Sequence, residues 1–243
     1  MTQPVVGVLA LQGGVAEHLA MLESLGARAV RVRSASDLVG DDGAPVIDAL
    51  VLPGGESSTT DRLCRTFGLF DPLREVIAAG LPVLGTCAGL ILLATRIEDP
   101  APGQQSLGVL DVTVARNAFC SQVDSAEVSL EWAGFRSSSL LDSSDGAAPV
   151  DADPSRNAAT GPRDAATDAG KAPGDVVRAA FIRAPAVTRA GGGVEVLARY
   201  QGQAVAVQQG NILAISFHPE LTGDTTVHEE LLGLVRTRAP VEA

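Results

Sequence analysis

The amino-acid sequence predicts an α/β fold: a central, mostly parallel β-sheet flanked by helices, with additional antiparallel strands. In the first half of the chain, short apolar runs typical of buried strands alternate with amphipathic helical patterns, as in βαβ units. In the second half, short strand patterns follow one another across polar turns. The 243 residues, 46% of them hydrophobic, are enough for one large core. We therefore expect a single domain over residues 1–243.

The first three strands are predicted by apolar runs separated by helical patterns. Residues 5–11 form a continuous run rich in β-branched side chains, which is typical of a fully buried strand. An amphipathic helical pattern follows over residues 16–25, and residues 28–33 alternate like a second strand. A third strand, residues 48–55, ends in a Pro-Gly-Gly turn, after which helical patterns continue to Ala79. This alternation favours parallel pairing among the strands.

A fourth strand and a helix meet at one turn, and several further strand patterns follow in the second half of the chain. Residues 81–86 predict the strand and residues 88–95 the helix. Residues 107–116 and 125–132 are predicted to be paired strands, and residues 225–236 form the last helix. Three further strands are predicted before that helix: residues 194–200, 203–210 and 211–219. We expect the later strands to add antiparallel pairs at the edge or end of the first sheet.

Residues 137–174 do not follow this pattern. The segment has no aromatic residue, few large aliphatic residues and many Ala, Asp, Ser, Gly and Pro residues. Such a composition cannot bury enough apolar surface to offset the entropy lost on ordering. We predict that it is a disordered surface insertion within the single domain.

The charge and the cysteine content argue against several classes of function. The chain carries 29 acidic and 18 basic residues, a net charge of −11, whereas nucleic acids and anionic membranes bind cationic faces. The three cysteines show neither metal-ligand nor disulfide spacing, and we expect no metal and no cofactor. The amino-terminal segment is predicted as a strand, not a signal peptide, and no apolar run is long enough to span a bilayer. These features predict a cytoplasmic protein that binds neither nucleic acid nor membrane.

Cys87 stands at the strand-to-helix turn with small residues around it. The sequence Gly-Thr-Cys-Ala-Gly matches the nucleophile elbow Gly-x-Ser-x-Gly, with sulfur in place of oxygen. The positive end of the following helix favours the thiolate, and the amide of Ala88 is placed to donate to an oxyanion. The alternative is that Cys87 is a small buried hydrophobe, as most single cysteines are. Cys64 and Cys120 lack this context, so we predict a nucleophile only at Cys87.

His218 is the histidine best placed to act as the base for this thiol. His18 and His228 lie on the first and last predicted helices, where we expect them to be partly solvated. His218 follows an apolar strand, and in an extended segment it would project to the same side as Glu220. An imidazole oriented by a carboxylate can take a proton from a thiol. The alternative is a purely structural turn around Pro219.

The turn after the third strand is a third candidate element. Ligands of parallel sheets bind at the carboxyl ends of the strands, and the amides of Gly54 and Gly55 can approach a substrate closely. Glu56 and Ser57 are candidates to bind an ammonium and a carboxylate group. The alternative is a simple turn followed by a helix capped by Ser57 or Ser58, and both interpretations can hold together.

These three motifs together resemble the class I glutamine amidotransferases, whose glutaminase domains use a Cys-His-Glu triad. PGGES, GTCAG and FHPEL stand in the order and approximate spacing of that family. Further segments, LALQGGVAEH, ARNAF with QVDS after it, FIRAP and SFHPELTGD, resemble the glutaminase subunits of pyridoxal 5′-phosphate synthase. The resemblance covers nearly the whole chain except the insertion and the extreme termini. Cys120 and Ser121 replace the family's usual glycine and arginine, which leaves the contacts of that loop open.

The resemblance implies a class I glutamine amidotransferase-like sandwich fold and the hydrolysis of L-glutamine to L-glutamate and ammonia. It implies that Cys87 attacks the side-chain amide to form a γ-glutamyl thioester, that His218 moves the proton and that Glu220 orients the imidazole. It also implies an oxyanion hole formed by the amides of Gly55 and Ala88. The residues implied to bind glutamine are Gly55, Glu56, Ser57, Arg116, Ile182 and Arg183.

The resemblance also implies a protein partner. Ammonia would pass to a separate, barrel-shaped synthase subunit in a hetero-oligomer, which builds pyridoxal 5′-phosphate (vitamin B6 biosynthesis) from a pentose phosphate and a triose phosphate. In this family the glutaminase is typically quiet until the partner docks, and Gln12 lies where such activation could be transmitted.

Three alternatives stay open on the sequence alone. The chain could be the glutaminase subunit of another ammonia-using pathway, such as imidazole glycerol phosphate synthase, although that would not explain LALQGGVAEH or FIRAP. It could be a catalytically idle assembly partner, although such proteins are expected to lose a triad residue. It could also be a cysteine hydrolase or stress protein on a related α/β fold, although those sites generally lack the His-Pro-Glu sequence after a late strand.

Overall fold

Strands and helices alternate along the first half of the chain, as the sequence predicts. The computed structural model describes residues 3–119, 126–133 and 176–237, so the predicted insertion lies outside the described residues. In chain order the elements are β1 (Val5–Leu9), α1 (Val15–Ser24), β2 (Arg28–Val32), a 3₁₀ turn (Ala35–Asp37), β3 (Ala49–Leu52), α2 (Ser57–Thr66), α3 (Phe70–Ala78), β4 (Val83–Thr86), α4 (Ala88–Leu93), β5 (Ala94–Glu98), β6 (Leu110–Ala115), β7 (Ala126–Glu131), β8 (Val176–Phe181), β9 (Ala186–Ala190), β10 (Glu195–Tyr200), β11 (Gln203–Gln209), β12 (Ile212–Ile215), α5 (Pro219–Thr222) and α6 (Thr226–Thr237).

One long sheet carries most of the strands. Its order is β2-β1-β3-β4-β12-β11-β9-β6-β5, with β10 paired to β11, and the first five strands of that order are parallel. The strands β11 and β9 then run antiparallel to their neighbours, whereas β5 and β6 pair in parallel. The predicted α/β fold class, a mostly parallel sheet with added antiparallel strands, is confirmed.

Two predicted strand placements are wrong. The strand β12 does not join the edge or end of the sheet but enters its middle, parallel to β4, and all four of its residues are buried. The strand β7 does not pair with β6 but forms a separate antiparallel hairpin with β8, which the sequence analysis did not identify. Apolar patterns indicate that a segment is a strand, but they do not encode its partner, and that choice is made by tertiary packing.

The helix after β4 is also shorter than predicted. It ends at Leu93, and the chain continues directly into β5, whose Thr95 and Ile97 are β-branched. The prediction extended the helix to Thr95 because the apolar run is continuous there, and periodicity does not separate a buried helix from a buried strand in such a run.

The core lies on both faces of the sheet. On one face, α3 and α4 contribute aliphatic residues such as Leu73 and Leu90 to a buried cluster. On the other face, α1, α6 and the β7–β8 hairpin contribute residues such as Leu22, Leu231 and Trp132 to a second cluster. Among the described residues, no helix has both the length and the apolar character needed to cross a membrane.

Three neighbouring parallel strands end at the same edge of the sheet. Leu52 of β3 lies beside Gly85 of β4, and Thr86 of β4 lies beside Ile215 of β12. The loops that follow these strands therefore emerge side by side, which is where ligands of parallel α/β sheets bind. These are the loops that carry the three motifs of the sequence analysis.

Candidate active site

Cys87 occupies the turn between β4 and α4 in an uncommon backbone conformation. Its φ of 48° and ψ of −98° place a non-glycine residue at positive φ, where an L-residue is strained. Its amide donates to the carbonyl of Ile215 at 2.8 Å, which fixes the turn against β12. At Gly89, an added Cβ would overlap the carbonyl oxygen of Leu52, so only glycine lets α4 pack this closely against β3. The geometry is that of the strand-turn-helix elbow expected from the sequence.

His218 and Glu220 form a hydrogen-bonded pair next to this turn. His218 Nδ1 lies 2.7 Å from Glu220 Oε1, and both side chains are largely buried. The expected extended geometry is wrong, because Pro219 begins the one-turn helix α5 and Glu220 lies within it. The two side chains still meet, with His218 anchored by its amide, which donates to the carbonyl of Ala180 at 3.0 Å.

The imidazole of His218 also lies beside the side chain of Cys87, because both border the position of a Cβ at Gly54 and Cys87 influences the pKa of His218. Burial by itself lowers the pKa of His218, but hydrogen bonds and charge attraction from Cys87 and Glu220 outweigh it and raise the pKa to about 10. The structure thus brings all three predicted triad side chains together, with His218 hydrogen-bonded to Glu220 and adjacent to Cys87. This arrangement favours the imidazolium form of His218 beside the sulfur.

Gly54 lies against both reactive side chains. A Cβ at Gly54 would overlap Cε1 of His218 and lie 3.3 Å from the Cβ of Cys87. The sequence analysis assigned Gly54 a role in admitting substrate, whereas the structure shows that it makes room for the imidazole. Sequence reasoning missed this role because the contact joins residues that are far apart in the chain.

Glu56 caps α2 and lies near a cationic side chain. Its carboxylate accepts hydrogen bonds from the amides of Ser58 and Thr59, so Glu56, and not the predicted Ser57 or Ser58, is the N-cap. Burial raises the pKa of Glu56, but the hydrogen bonds from Thr59 and Ser58 outweigh it and lower the pKa to about 2. A guanidinium nitrogen of Arg116 lies 3.5 Å from Glu56 Oε1, so the structure brings these two predicted binding residues together.

Ser57 and Gly55 are held by side chains that come from other loops. The hydroxyl of Ser57 is buried and accepts from Gln104 Nε2 at 3.1 Å, so its side chain is already engaged. The carboxamide of Gln12 lies against Gly55, accepts from the amide of Glu56 at 3.3 Å and donates to Thr60. Gln12 therefore links the loop after β1 to the loop after β3.

Ile182 and Arg183 follow β8 and are tied to the loop that carries Arg116. Ile182 is 41% exposed, and Arg183 has a positive φ of 46°. The amide of Phe119 donates to the carbonyl of Ala184 at 3.3 Å, which joins the two loops. The altered loop positions 120 and 121 lie outside the described residues.

His18 and His228 are the functional candidates that sequence reasoning placed wrongly. Both side chains are fully buried, not partly solvated. His18 Nδ1 lies 2.9 Å from His228 Nε2, and His18 Nε2 lies 3.6 Å from Glu220 Oε2. The burial of His18 could have been predicted from the helical period. His18 shares one face of α1 with Met21 and Leu22, both of which are buried.

Comparison with known proteins settles the family. The model of the SNO glutamine amidotransferase family matches residues 8–146 and 164–235, which is most of the chain. This chain belongs to the SNO glutamine amidotransferase family. The recognition made from the sequence motifs is thereby confirmed.

Relatives of this SNO-family chain are similar over almost their whole length. Pyridoxal 5′-phosphate synthase subunit PdxT of Acidothermus cellulolyticus is 46% identical, covering 98% of this chain and 97% of the relative. The PdxT subunit of Kineococcus radiotolerans is 49% identical, with 97% and 96% covered. A crystal structure described as a glutamine amidotransferase is 39% identical, with a TM-score of 0.72 and coverage of 96% of this chain and 99% of that one.

Proposed function

We propose that this SNO-family protein is the glutaminase subunit of a pyridoxal 5′-phosphate synthase, and that Cys87, His218 and Glu220 are its catalytic triad. The observation that carries the proposal is the contact of these three side chains at the ends of β4 and β12. The similarity to PdxT subunits supports the choice of pathway over imidazole glycerol phosphate synthase. The presence of all three side chains in contact argues against a catalytically idle partner.

The chemistry follows from the order of the three groups. His218 takes the proton from the sulfur of Cys87, and the thiolate attacks the side-chain amide carbon of L-glutamine. The resulting oxyanion would be stabilised by the amides of Gly55 and Ala88. The imidazolium then gives its proton to the leaving nitrogen, which departs as ammonia and leaves a γ-glutamyl thioester. His218 next removes a proton from water, whose oxygen replaces the sulfur and releases L-glutamate.

Glu220 orients the imidazole throughout this sequence. Its Oε1 accepts from Nδ1 of His218, which leaves Nε2 as the nitrogen available to the sulfur and to the leaving group. Burial of the carboxylate keeps its charge unscreened by water, so it stabilises the imidazolium that forms in both half-reactions.

Glutamine would be held by the loops around the triad. Glu56 is ionised over the physiological range, because its pKa is lowered to about 2, and it suits the substrate ammonium group. Arg116 lies 3.5 Å from Glu56 and suits the substrate α-carboxylate. Ser57 would contribute through its backbone, since its hydroxyl is engaged. The remaining proposed contacts come from Gly55, Ile182 and Arg183.

The released ammonia would pass to a separate barrel-shaped synthase subunit in a hetero-oligomer. The glutaminase reaction needs no cofactor or metal, because every proton it moves is carried by His218. We propose that the complex works in the cytoplasm, where reducing conditions keep a catalytic thiol free.

The test is a glutamine-to-glutamate assay with and without the pyridoxal 5′-phosphate synthase barrel subunit. We expect glutamate formation that rises when the barrel subunit is added and that does not rise with the imidazole glycerol phosphate synthase partner. Glutamate formation stimulated only by the second partner would reassign the pathway. If no glutamate forms in the presence of the first partner and none forms in the presence of the second, the glutaminase proposal itself is overturned.

A further inference from the structure

Two buried histidines lie behind Glu220, on the side away from His218. His18 belongs to α1 and His228 to α6, and both are fully buried. His18 Nε2 points towards Glu220 Oε2 at 3.6 Å and towards the hydroxyl of Thr86 at 3.3 Å. Its other nitrogen, Nδ1, lies 2.9 Å from His228 Nε2. The line of polar groups that starts at Cys87 therefore continues through Glu220 to two further imidazoles.

The free oxygen of Glu220 lacks a close donor unless His18 provides one. Within the described parts of the chain, Glu220 Oε2 is buried and has no hydrogen-bond partner, and His18 Nε2 is the nitrogen that approaches it. A buried carboxylate oxygen without a donor carries a large desolvation cost. At 3.6 Å the contact is longer than a hydrogen bond, although it is within the distance of an ion pair. Catalytic hydrogen bonds are often long in a resting site and shorten with substrate.

The contacts select one tautomer for both rings. A proton on His18 Nε2 faces the carboxylate, whereas a lone pair there would face the carboxylate lone pairs. His18 Nδ1 is then an acceptor, and His228 Nε2 must be the donor at 2.9 Å. This leaves His228 Nδ1, which has no hydrogen-bond partner among the described residues, as an unfilled acceptor. The opposite tautomers would leave a buried N–H donor unfilled there, which is rarer in proteins.

The His18 ring is a neutral donor. Burial lowers its pKa well below the usual value, and the neighbouring charges of His228 and His218 lower it further. Burial also lowers the pKa of His228, to about 4. A neutral donor orients Glu220 without cancelling its charge, so the full carboxylate charge stays available to the imidazolium of His218.

The start of helix α1 packs closely against Glu220, which keeps His18 near the carboxylate. Gly14, one turn before His18, places the first turn of α1 so close to Glu220 that an added Cβ would lie 3.2 Å from Oε1. The amide of His18 donates to the carbonyl of Gly14 at 3.3 Å, so both positions belong to one helical turn. The start of α1 therefore packs close to the carboxylate of Glu220, and a side chain at position 14 would crowd it.

We propose that His18 is a positioning residue for the triad: its Nε2–H donates to Glu220 Oε2, and His228 fixes the tautomer that makes this possible. The inference rests on the proposed glutaminase function, since it assigns Glu220 a catalytic partner. His18 and His228 do not touch the substrate or the reacting atoms. They act through Glu220 on the orientation of the His218 imidazole.

The first measurement needs no substitution and no activity. In ¹⁵N-histidine-labelled wild-type protein, NMR should show His18 and His228 as neutral rings protonated at Nε2, and His218 as the ring that is positively charged near neutral pH. Protonation of His18 at Nδ1 would overturn the proposal, whatever the fate of the glutaminase assay. Absence of activity with the expected tautomers would instead count against the proposed function.

The second measurement separates orientation from packing. In the complex with the barrel subunit, His18→Leu removes the donor, whereas His18→Gln keeps an N–H near the position of Nε2. We expect kcat at least about tenfold lower in His18→Leu, with KM for glutamine nearly unchanged, and recovery of most of kcat in His18→Gln. Leu22→Ala is the matched control, because it lowers the stability of the same helix without removing a polar group. Equal kcat in His18→Leu and wild type, or equal damage in both His18 variants, would overturn the assignment.

The role of His228 is tested by a double-mutant cycle with His18. Because His228 acts through His18, His228→Leu should lower kcat, and the double variant His18→Leu/His228→Leu should be no slower than His18→Leu alone. Additive losses would show that His228 does not act through His18. If His18→Leu fails to fold, the wild-type tautomers and the His228→Leu variant still decide the question.

Discussion

The backbone of Gly54 lies directly against the imidazole of His218, at a distance that leaves no room for a side chain. A Cβ there would overlap Cε1 of the ring and lie 3.0 Å from Nδ1. Gly54→Ala should therefore displace the imidazole from Cys87 and lower kcat on the order of 10²-fold, because a shift of about 1 Å in a reacting group costs that much. Steady-state glutaminase kinetics in the complex with the barrel subunit measure the change.

The matched control for Gly54→Ala is Gly233→Ala in α6, where an added Cβ meets nothing within 4 Å. This substitution should leave kcat unchanged and raise the free energy of unfolding by up to about 1 kcal/mol, since alanine favours a helix interior over glycine. Wild-type activity in Gly54→Ala would show that the contact with His218 does not constrain the site.

Cys87→Ala should abolish glutamate formation while leaving the fold and the binding of the barrel subunit intact. Cys87 is the thiol beside the imidazole of His218, whereas Cys64 is fully buried and burial raises its pKa to about 12. A glutamine-like electrophile should therefore label Cys87, and glutamine should block the labelling. Cys64→Ala, the control, should keep both activity and labelling. Substantial activity in Cys87→Ala would remove the nucleophile assignment.

Glu220→Gln should lower the pKa of His218, because it removes a negative charge that helps to raise that pKa to about 10. His218 then becomes a weaker base whose imidazolium is less stabilised, so kcat should fall on the order of 10²-fold. An NMR titration of the His218 ring follows the pKa, and the three histidines of the chain make the assignment simple. A His218 pKa that does not change in Glu220→Gln would contradict the pairing seen in the structure.

Stability should fall as the pH drops below neutrality, because His18 and His228 are buried as neutral rings. Burial lowers the pKa of His228 to about 4 and also lowers that of His18, whereas both are near 6.5 when unfolded. Protons then bind preferentially to the unfolded chain, so this stability is present above pH 6.5 and is lost as the pH falls towards 4. For His228 alone the loss is on the order of 3 kcal/mol.

Urea unfolding at several pH values between about 5 and 7 measures this slope. His228→Phe should flatten it, since the ring is replaced by one that does not titrate. Leu232→Ala, the control in the same helix, should lower the free energy of unfolding at every pH without changing the slope. An unchanged slope in His228→Phe would show that the histidine is not the source of the pH dependence.

Replacement of residues 137–174 by a short Gly-Ser linker should leave glutaminase activity nearly unchanged. The segment lies outside the described residues, but the strands on either side of it pair directly, with Glu131 opposite Val176 at the end of the β7–β8 pair that this part of the chain connects. A short turn can connect two such ends. Thermal unfolding and the glutamine assay together provide the check, and a large loss of stability would show that the segment is structured and packed.

The location of the candidate-site motifs was predictable from the sequence because each motif is local. The glycines around Cys87 and the apolar strand before it form a pattern within eight residues, and the Pro-Gly-Gly turn marks the end of β3 in the same way. The contact of His218 with Glu220 was also expected, although the one-turn helix α5 and not an extended segment produces it.

Several of the errors concern partners that are distant in the chain. The sequence did not reveal that β12 inserts beside β4 or that Gly54 packs against the imidazole of His218. It also did not reveal that two helices more than 200 residues apart in the chain bring His18 and His228 together next to Glu220. The sequence by itself determined which residues can do chemistry and the turns that present them, because these depend on local backbone sterics and apolar period. Only the tertiary structure decided which of them meet, because pairing across the sheet is selected by the packing of the whole core and leaves no signature at either residue alone.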